Sequence, residues 1–443
     1  MTPPSQSAAA VTQPVAVVSE RLPWRQTFIS LSVPNFRIFA IGHFIAVTAI
    51  WMQRIAQDWL VLQLSGSVTA VGITVALQFL PALVLGPWGG MVADRFAKRK
   101  ILILCQSLAA VLAGALAVLA LTGAIEVWHV YGIALVLGLV TVLDQPARQV
   151  FVQELVGPRH LRNAISVNST TFQLGGLIGP ALAGALLMAV GAGWAFAGNA
   201  AACCSTVVML LLLRRDELFV SAPAPKRKGM LREGLRYALS KPTIYWPWLM
   251  AGFIAVFAMS LPVVLAAFAD DIYRIGAGGY GMLNALVALG ALAGAVASTR
   301  RRQLRLRSVV LGAGMYGLML CLSAFAPSLA WFGAAMVLSG FWCLMFLTAS
   351  NQLVQISSNM GVRGRVMSLY IMVLIGGQAI GGPMIGSIAE HVDPRAALLV
   401  AGGVPALAAV AVAVVLSRRG QLTLKVDFRD RRRLLRVVQR TMA

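Results

Sequence analysis

Twelve stretches of this chain run through apolar residues with almost no charge, and that pattern leaves few folds open. They fall at 37–62, 69–92, 101–122, 128–150, 163–190, 192–213, 243–269, 278–299, 308–326, 329–352, 365–388 and 394–417. A bilayer core demands about 20 apolar residues of a helix, and only helices or closed barrels satisfy their backbone groups there. The apolar residues are continuous rather than alternating, which selects helices. Charged residues make up 12% of the chain, roughly half the share found in a soluble domain. The expected fold class is therefore all-α integral membrane, with about 12 transmembrane helices.

A net charge of +22 raises nucleic acid as a partner, so the location of the basic residues decides. With these spans, every Lys and Arg except Arg54, Arg274 and Arg395 falls in a terminus, in a connection on the same side as the termini, or at a span end on that side. That is the positive-inside pattern. It predicts a multi-pass protein of the cell inner (cytoplasmic) membrane with both termini in the cytoplasm. No soluble basic domain remains once the spans are removed, so nucleic acid is excluded as a partner. The connections on the other side are short and carry Glu126, Asp270, Asp271, Glu390 and Asp393.

The five cysteines all lie in predicted spans without metal-ligand spacing to any histidine. They read as small apolar residues rather than as a disulfide framework. No metal site and no cofactor is expected. The first 20 residues hold no Lys or Arg and so lack the basic start of a signal peptide.

The organisation reads as a cytoplasmic leader over 1–36, a six-helix bundle over 37–213, a charged linker over 214–242, a second bundle over 243–417 and a basic cytoplasmic tail over 418–443. Met230 to Leu239 alternates apolar and charged residues at helical spacing and predicts an interfacial helix. The tail from Arg429 to Arg440 has two readings, a basic amphipathic helix on anionic lipid or a solvated coil. The halves resemble each other weakly: Gly179, Pro180 and Gly184 are matched by Gly382, Pro383 and Gly386. Paired halves of six helices, with a substrate site between them, are the pattern of secondary transporters.

Charge within a span is costly unless it meets a partner or a cavity. The first span carries His43, Arg54 and Asp58, and the last two are four residues apart on one helical face. One reading is a local Arg54–Asp58 ion pair. The other has Asp58 titrating during transport while Arg54 meets an anionic substrate. For proton coupling Asp58 is the first candidate and His43 the second, although a lone histidine on an apolar helix also serves as a hydrogen-bonded packing residue. Uncharged polar residues in spans give further cavity candidates, Gln53, Gln78, Asn168, Gln173, Asn284, Asn351 and Gln378, some of which must serve as interhelical hydrogen bonds. The chain has no Gly-x4-Gly-Lys-Ser/Thr loop, so an ion gradient rather than ATP is the expected energy source.

Gly90-Met91-Val92-Ala93-Asp94-Arg95-Phe96-Ala97-Lys98-Arg99-Lys100, between the second and third spans, resembles the signature of the major facilitator superfamily. Asp144 to Val156, Arg162-Asn163-Ala164, Gly179-Pro180 and Arg363 to Tyr370 resemble its exporter branch, which includes enterobactin-type siderophore exporters. The resemblance implies two pseudo-symmetric six-helix bundles. It also implies an inner gate in which Asp94 meets the N-terminus of the eleventh helix, where a carboxylate is stabilised. Gly86 and Gly90 would then form a small-residue face, with Arg95, Arg99 and Asp144 forming a charge relay. Lys98 and Lys100 serve in that picture mainly to anchor the inner face. The second half lacks the gating acid, having Gly294 followed by Ser298. Gly175, Gly179, Pro180 and Gly184 resemble the fifth-helix motif associated with export, with close helix packing as the alternative role.

The expected function is thus a secondary active transporter, a proton-coupled antiporter exporting a small molecule such as a siderophore or amphiphilic drug by alternating access. It would work as a monomer in the lipid bilayer. The competing reading is a transport-inactive membrane sensor or assembly partner. An enzyme ranks last, because no nucleophile–base cluster or carboxylate pair shares a span.

Overall fold

The computed structural model describes residues 29–219, 230–299, 305–359, 362–419, 422–426 and 435–439. Twelve helices in it are long and apolar enough to cross a membrane. We number them α1 (Pro34–Ser65), α2 (Val68–Arg95), α3 (Lys98–Thr122), α4 (Val127–Gly157), α5 (Arg159–Ala189) and α6 (Ala192–Leu212). The second set is α7 (Pro242–Ile272), α8 (Gly276–Thr299), α9 (Leu306–Ser323), α10 (Leu329–Ser357), α11 (Arg363–His391) and α12 (Pro394–Arg419). An even number of spans brings both ends of the chain to one face of the molecule, called here the terminal face.

Local chemistry explains where these helices start, stop and bend. Pro34 opens α1 at a position where its missing N–H costs nothing. Gly66, at φ 63°, ends α1 by turning its N–H back to the Leu62 carbonyl, and Ser67 then caps α2 by accepting from the Ala70 N–H. The α4–α5 connection is a single break at Gly157, whose φ of 64° suits a residue without a Cβ. In α7, Pro262 cannot bond the Ala258 carbonyl, the helix widens over Ile254–Ala258, and Tyr316 of α9 donates to the freed oxygen at 2.9 Å.

The two bundles use the same packing scheme. In the first, α1 crosses α5, α2 crosses α4 and α3 crosses α6. In the second, α7 crosses α11, α8 crosses α10 and α9 crosses α12. Glycines make these crossings close. A Cβ on Gly89 would lie 2.1 Å from the Val142 carbonyl oxygen in the α2–α4 crossing, and one on Gly294 would lie 2.6 Å from the Phe341 oxygen in α8–α10. The small-residue face of α2 thus acts through Gly89 rather than Gly86, which has nothing within 4 Å of its Cβ position. The reason is helical phase, since Gly89 and not Gly86 points at α4.

The linker helix Met230–Ser240 is docked at the terminal face against the start of α11. Glu233 accepts from Arg365 at 2.6 Å, and the Tyr237 hydroxyl accepts from the Asn359 N–H at 3.1 Å and from Lys241 at 2.6 Å. The described part of the tail is neither the helix nor the coil of the two sequence readings: Leu422–Val426 (β1) pairs antiparallel with Leu435–Gln439 (β2). The alternation of Leu422, Leu424 and Val426 has the period of a strand, and Val437 and Val438 are β-branched, which favours pairing over a helical turn. The expected arginine cluster of Arg429 to Arg433 lies outside the described residues, as do the leader up to residue 28 and the linker from 220 to 229.

Candidate functional site

The two bundles meet chiefly through two helix pairs, α2 with α11 and α5 with α8. Both meetings are closest in the half of the molecule away from the terminal face. On α2–α11, a Cβ at Gly72 would lie 2.2 Å from the Gly382 carbonyl oxygen, and one at Gly386 would lie 2.8 Å from the Val68 oxygen. On α5–α8, a Cβ at Gly281 would lie 2.3 Å from the Cα of Gly184. Backbones this close exclude water and substrate from that end.

Three hydrogen bonds given among the described residues cross between bundles, all in this half. Glu390, in the last turn of α11, accepts from the Ser67 hydroxyl at 2.6 Å and from the Thr69 N–H at 2.7 Å, so its carboxylate sits on the N-terminus of α2. There the helix dipole and free N–H groups favour negative charge. Deeper in, the Tyr280 hydroxyl of α8 donates to Asp58 Oδ2 of α1 at 3.4 Å, and Tyr280 stacks on Trp59 at 5.7 Å. Asp58 is 4% exposed, and its Oδ1 has no hydrogen-bond partner.

Arg54 and Asp58 do not form the local ion pair that their spacing permits. Asp58 turns to Tyr280, while the Arg54 guanidinium lies 5.4 Å over the Trp51 ring and 5.2 Å over the Phe79 ring. Arg54 is half-buried and makes no ion pair or hydrogen bond among the described residues. Trp51 in turn meets Phe172 of α5 edge-on at 6.0 Å.

A second polar cluster lies wholly inside the first bundle. Asp144 of α4 binds Arg148, one turn on, through both oxygens at 2.8 and 2.9 Å, and accepts from Gln106 of α3 at 3.2 Å. Arg148 also reaches His43 Nδ1 of α1 at 3.2 Å. A guanidinium can only donate, so this nitrogen accepts, and the ring stacks on Phe39. His43 is thereby engaged in packing, and Asp144 is tied to its own helix rather than placed beside Arg99. Arg99 donates to the Leu210 and Leu211 carbonyls at 2.7 and 2.8 Å, closing the C-terminal end of α6. Lys98 pairs with Glu154 at 3.4 Å, joining the start of α3 to α4.

The other candidates divide clearly. Gln53 bonds Asn199 of α6 at 2.5 Å inside the bundle, Asn284 donates to the Tyr280 carbonyl and Gln378 to the Leu374 carbonyl, and Asn351 accepts from Gln355. Gln78, Asn168 and Gln173 are half-buried, and Ser169 and Thr170 beside them on α5 are exposed. Gly175 and Gly179 press against α1, where their Cβ atoms would meet Val47 and Trp51 at 2.6 Å. Gly184 and the Pro180 carbonyl instead face α8 of the other bundle. Arg95 is exposed at the end of α2. For Gly90 and Asp94 only the helical backbone path of α2 is described. No group of three or more His, Cys, Asp or Glu that could hold a metal occurs among the described residues.

Sequence reasoning missed Glu390, Tyr280, Gly281, Arg148 and Glu154. The i,i+4 spacing of Asp144 and Arg148 was a usable signal for one of them. The others act through partners on distant helices, which no local pattern reveals.

Comparison with known proteins agrees with this architecture. The transmembrane secretion effector profile matches residues 25–431. The enterobactin exporter EntS of Salmonella typhimurium is 26% identical over 377 residues, covering 83% of this chain and 89% of that protein. EntS of Escherichia coli O1:K1 / APEC is 25% identical over 373 residues, covering 83% and 88%. Among solved structures, the nucleoside transporter NupG superposes with a TM-score of 0.69 at 11% identity over 86% of this chain and 99% of its own. A bacterial homolog to the human lysosomal transporter Spinster gives 0.63 at 18% identity over 90% and 96%. These relatives are transporters rather than enzymes. The chain belongs to the transmembrane secretion effector family of the major facilitator superfamily and is a multi-pass membrane transporter.

Proposed function

We propose that this protein is a proton-driven exporter of a small molecule, of the siderophore or amphiphile class, working by alternating access in the inner membrane with its termini in the cytoplasm. The observation that carries this reading is the Asp58–Tyr280 contact, a buried carboxylate at the joint between bundles. Separating the bundles at that face exposes Asp58 to water, so proton occupancy and conformation are linked at one position. His43 is the second candidate for coupling, but its bond to Arg148 stays within one bundle.

The direction of opening follows from charge. The terminal face collects nearly all the basic residues, which supports a cytoplasmic location for it. The closed half then faces outward, and the conformation described is closed to the outside. In the alternate state, Asp94 at the end of α2 meets the start of α11 and closes the terminal face, with Arg95 nearby. Similarity to the enterobactin exporters supports export and a siderophore-like cargo. The path lies within one chain, so a monomer suffices.

The test compares small molecules retained by cells lacking the protein and by cells re-expressing it, with and without a protonophore. A compound released on re-expression, with release stopped by the protonophore, is the expected result. Release that continues when the proton gradient is collapsed overturns the coupling.

A further inference from the structure

Arg54 is the feature of the spans that the fold does not account for. Every other described cation that is not exposed has an oxygen partner: Arg148 has Asp144, Lys98 has Glu154, Arg99 has two carbonyls, Lys241 has the Tyr237 hydroxyl, Arg363 has the Ser358 carbonyl and Arg365 has Glu233. Arg54 has two aromatic faces, Trp51 and Phe79, and neither offers an acceptor in the plane of its five N–H donors. Its neighbour Asp58 is turned away, committed to Tyr280 of the other bundle. Asp58 acts on Arg54 only through space and makes no hydrogen bond or salt bridge to it; a guanidinium at bilayer depth with no bonded anion is costly to keep, and such residues mark substrate pathways.

The surroundings narrow the ligand. Trp51, Phe79 and Phe172 form an aromatic wall on α1, α2 and α5. Gly176 beneath the Trp51 indole nitrogen, 3.6 Å from its Cβ position, leaves that wall room on the α5 side. Arg54 is half-buried rather than sealed, so its donors remain reachable. A planar guanidinium fork matches a planar anion that accepts two parallel hydrogen bonds. The rings suit an aromatic or apolar body attached to that anion.

We propose that Arg54 is the docking point for an anionic cargo, an aromatic carboxylate or a similarly delocalised anion, whose ring system lies against Trp51, Phe79 and Phe172. This rests on the reading of the chain as an exporter and adds to it the charge of the substrate. The positive wall selects anions, and the rings select against small hydrated ones.

The test measures binding rather than transport, so that it stands apart from the export assay. Purified full-length protein in nanodiscs is titrated with 1-naphthoate and with its neutral carboxamide, each in low and high chloride. Wild type should bind the carboxylate at least about tenfold more tightly than the amide. Arg54→Gln should abolish that preference, and Arg54→Lys should restore part of it as a point charge. Equal binding of the two probes by wild type overturns the proposal, as does a preference that survives in Arg54→Gln, or no binding of either probe. Loss of carboxylate binding in high chloride at constant ionic strength reassigns Arg54 to an inorganic anion and also overturns it. Anion binding through Arg54 without proton-dependent export would refute the export reading alone.

Discussion

Replacing Gly281 by alanine should hold open the half of the transporter away from the terminal face. A Cβ at this position would lie 2.3 Å from the Cα and 2.7 Å from the nitrogen of Gly184, and 3.0 Å from the Pro180 oxygen. Carbon atoms in contact sit about 3.5–4.0 Å apart, so α5 and α8 must separate by roughly 1 Å or more. These are backbone atoms and cannot swing aside as a side chain would. At the adjacent residue, the Tyr280–Asp58 hydrogen bond is already 3.4 Å long and would be lost by such a shift. Overpacking of this kind costs about 1–3 kcal/mol, a shift of about 5–150-fold in the ratio of closed to open. The open form has no such clash, so the helix itself should be stabilised by the alanine. Spin labels at Ser65→Cys and His391→Cys would report the gap between bundles at this face. The distance distribution should move to longer values in Gly281→Ala, with slower transport and an unchanged melting temperature. An unchanged distribution with normal flux would show that the small-residue crossing does not control closure.

The remaining expectations concern individual charges. Glu390→Gln removes a carboxylate from the N-terminus of α2, and because the group is exposed the loss should be modest, about 1–2 kcal/mol. The same spin-label pair should show partial opening, and no change would reduce Glu390 to a surface contact. Arg148→Gln leaves Asp144 buried without its cation and should cost about 3–5 kcal/mol of stability. Melting in detergent should show this, with Arg148→Gln/Asp144→Asn melting closer to wild type than the single variant. Asp94→Asn should slow transport while the protein stays in the membrane, and unchanged flux would remove Asp94 from the gate.

Hydropathy located the helices because the bilayer imposes the same demand on every span. It failed at α4 and α5, where the spans were read as 128–150 and 163–190 although helix continues to Gly157 and resumes at Arg159. The intervening turns bury Phe151, Val152, Leu155 and Val156 and expose Gln153 and Arg159, so they are amphipathic beyond the apolar core. Asp58 and Arg54 were legible as candidates because charge is rare in a span. Their separation was not, because Tyr280, which takes the carboxylate, lies 222 residues away. Glu390 looked like a loop acid until α11 was seen to deliver it to the start of α2. His43 and Asp144 were legible as unusual, but only the fold shows Arg148 joining them within one bundle.

In the proposed function, proton movement through Asp58 drives export. It is tested most directly with the purified protein in proteoliposomes, by imposing a pH gradient and following cargo and protons together for wild type and Asp58→Asn. Enterobactin, named for the relatives, is the first cargo to use. Wild type should accumulate it against its gradient with protons moving the opposite way, and Asp58→Asn should allow only downhill exchange. Uphill transport that persists in Asp58→Asn would contradict the account.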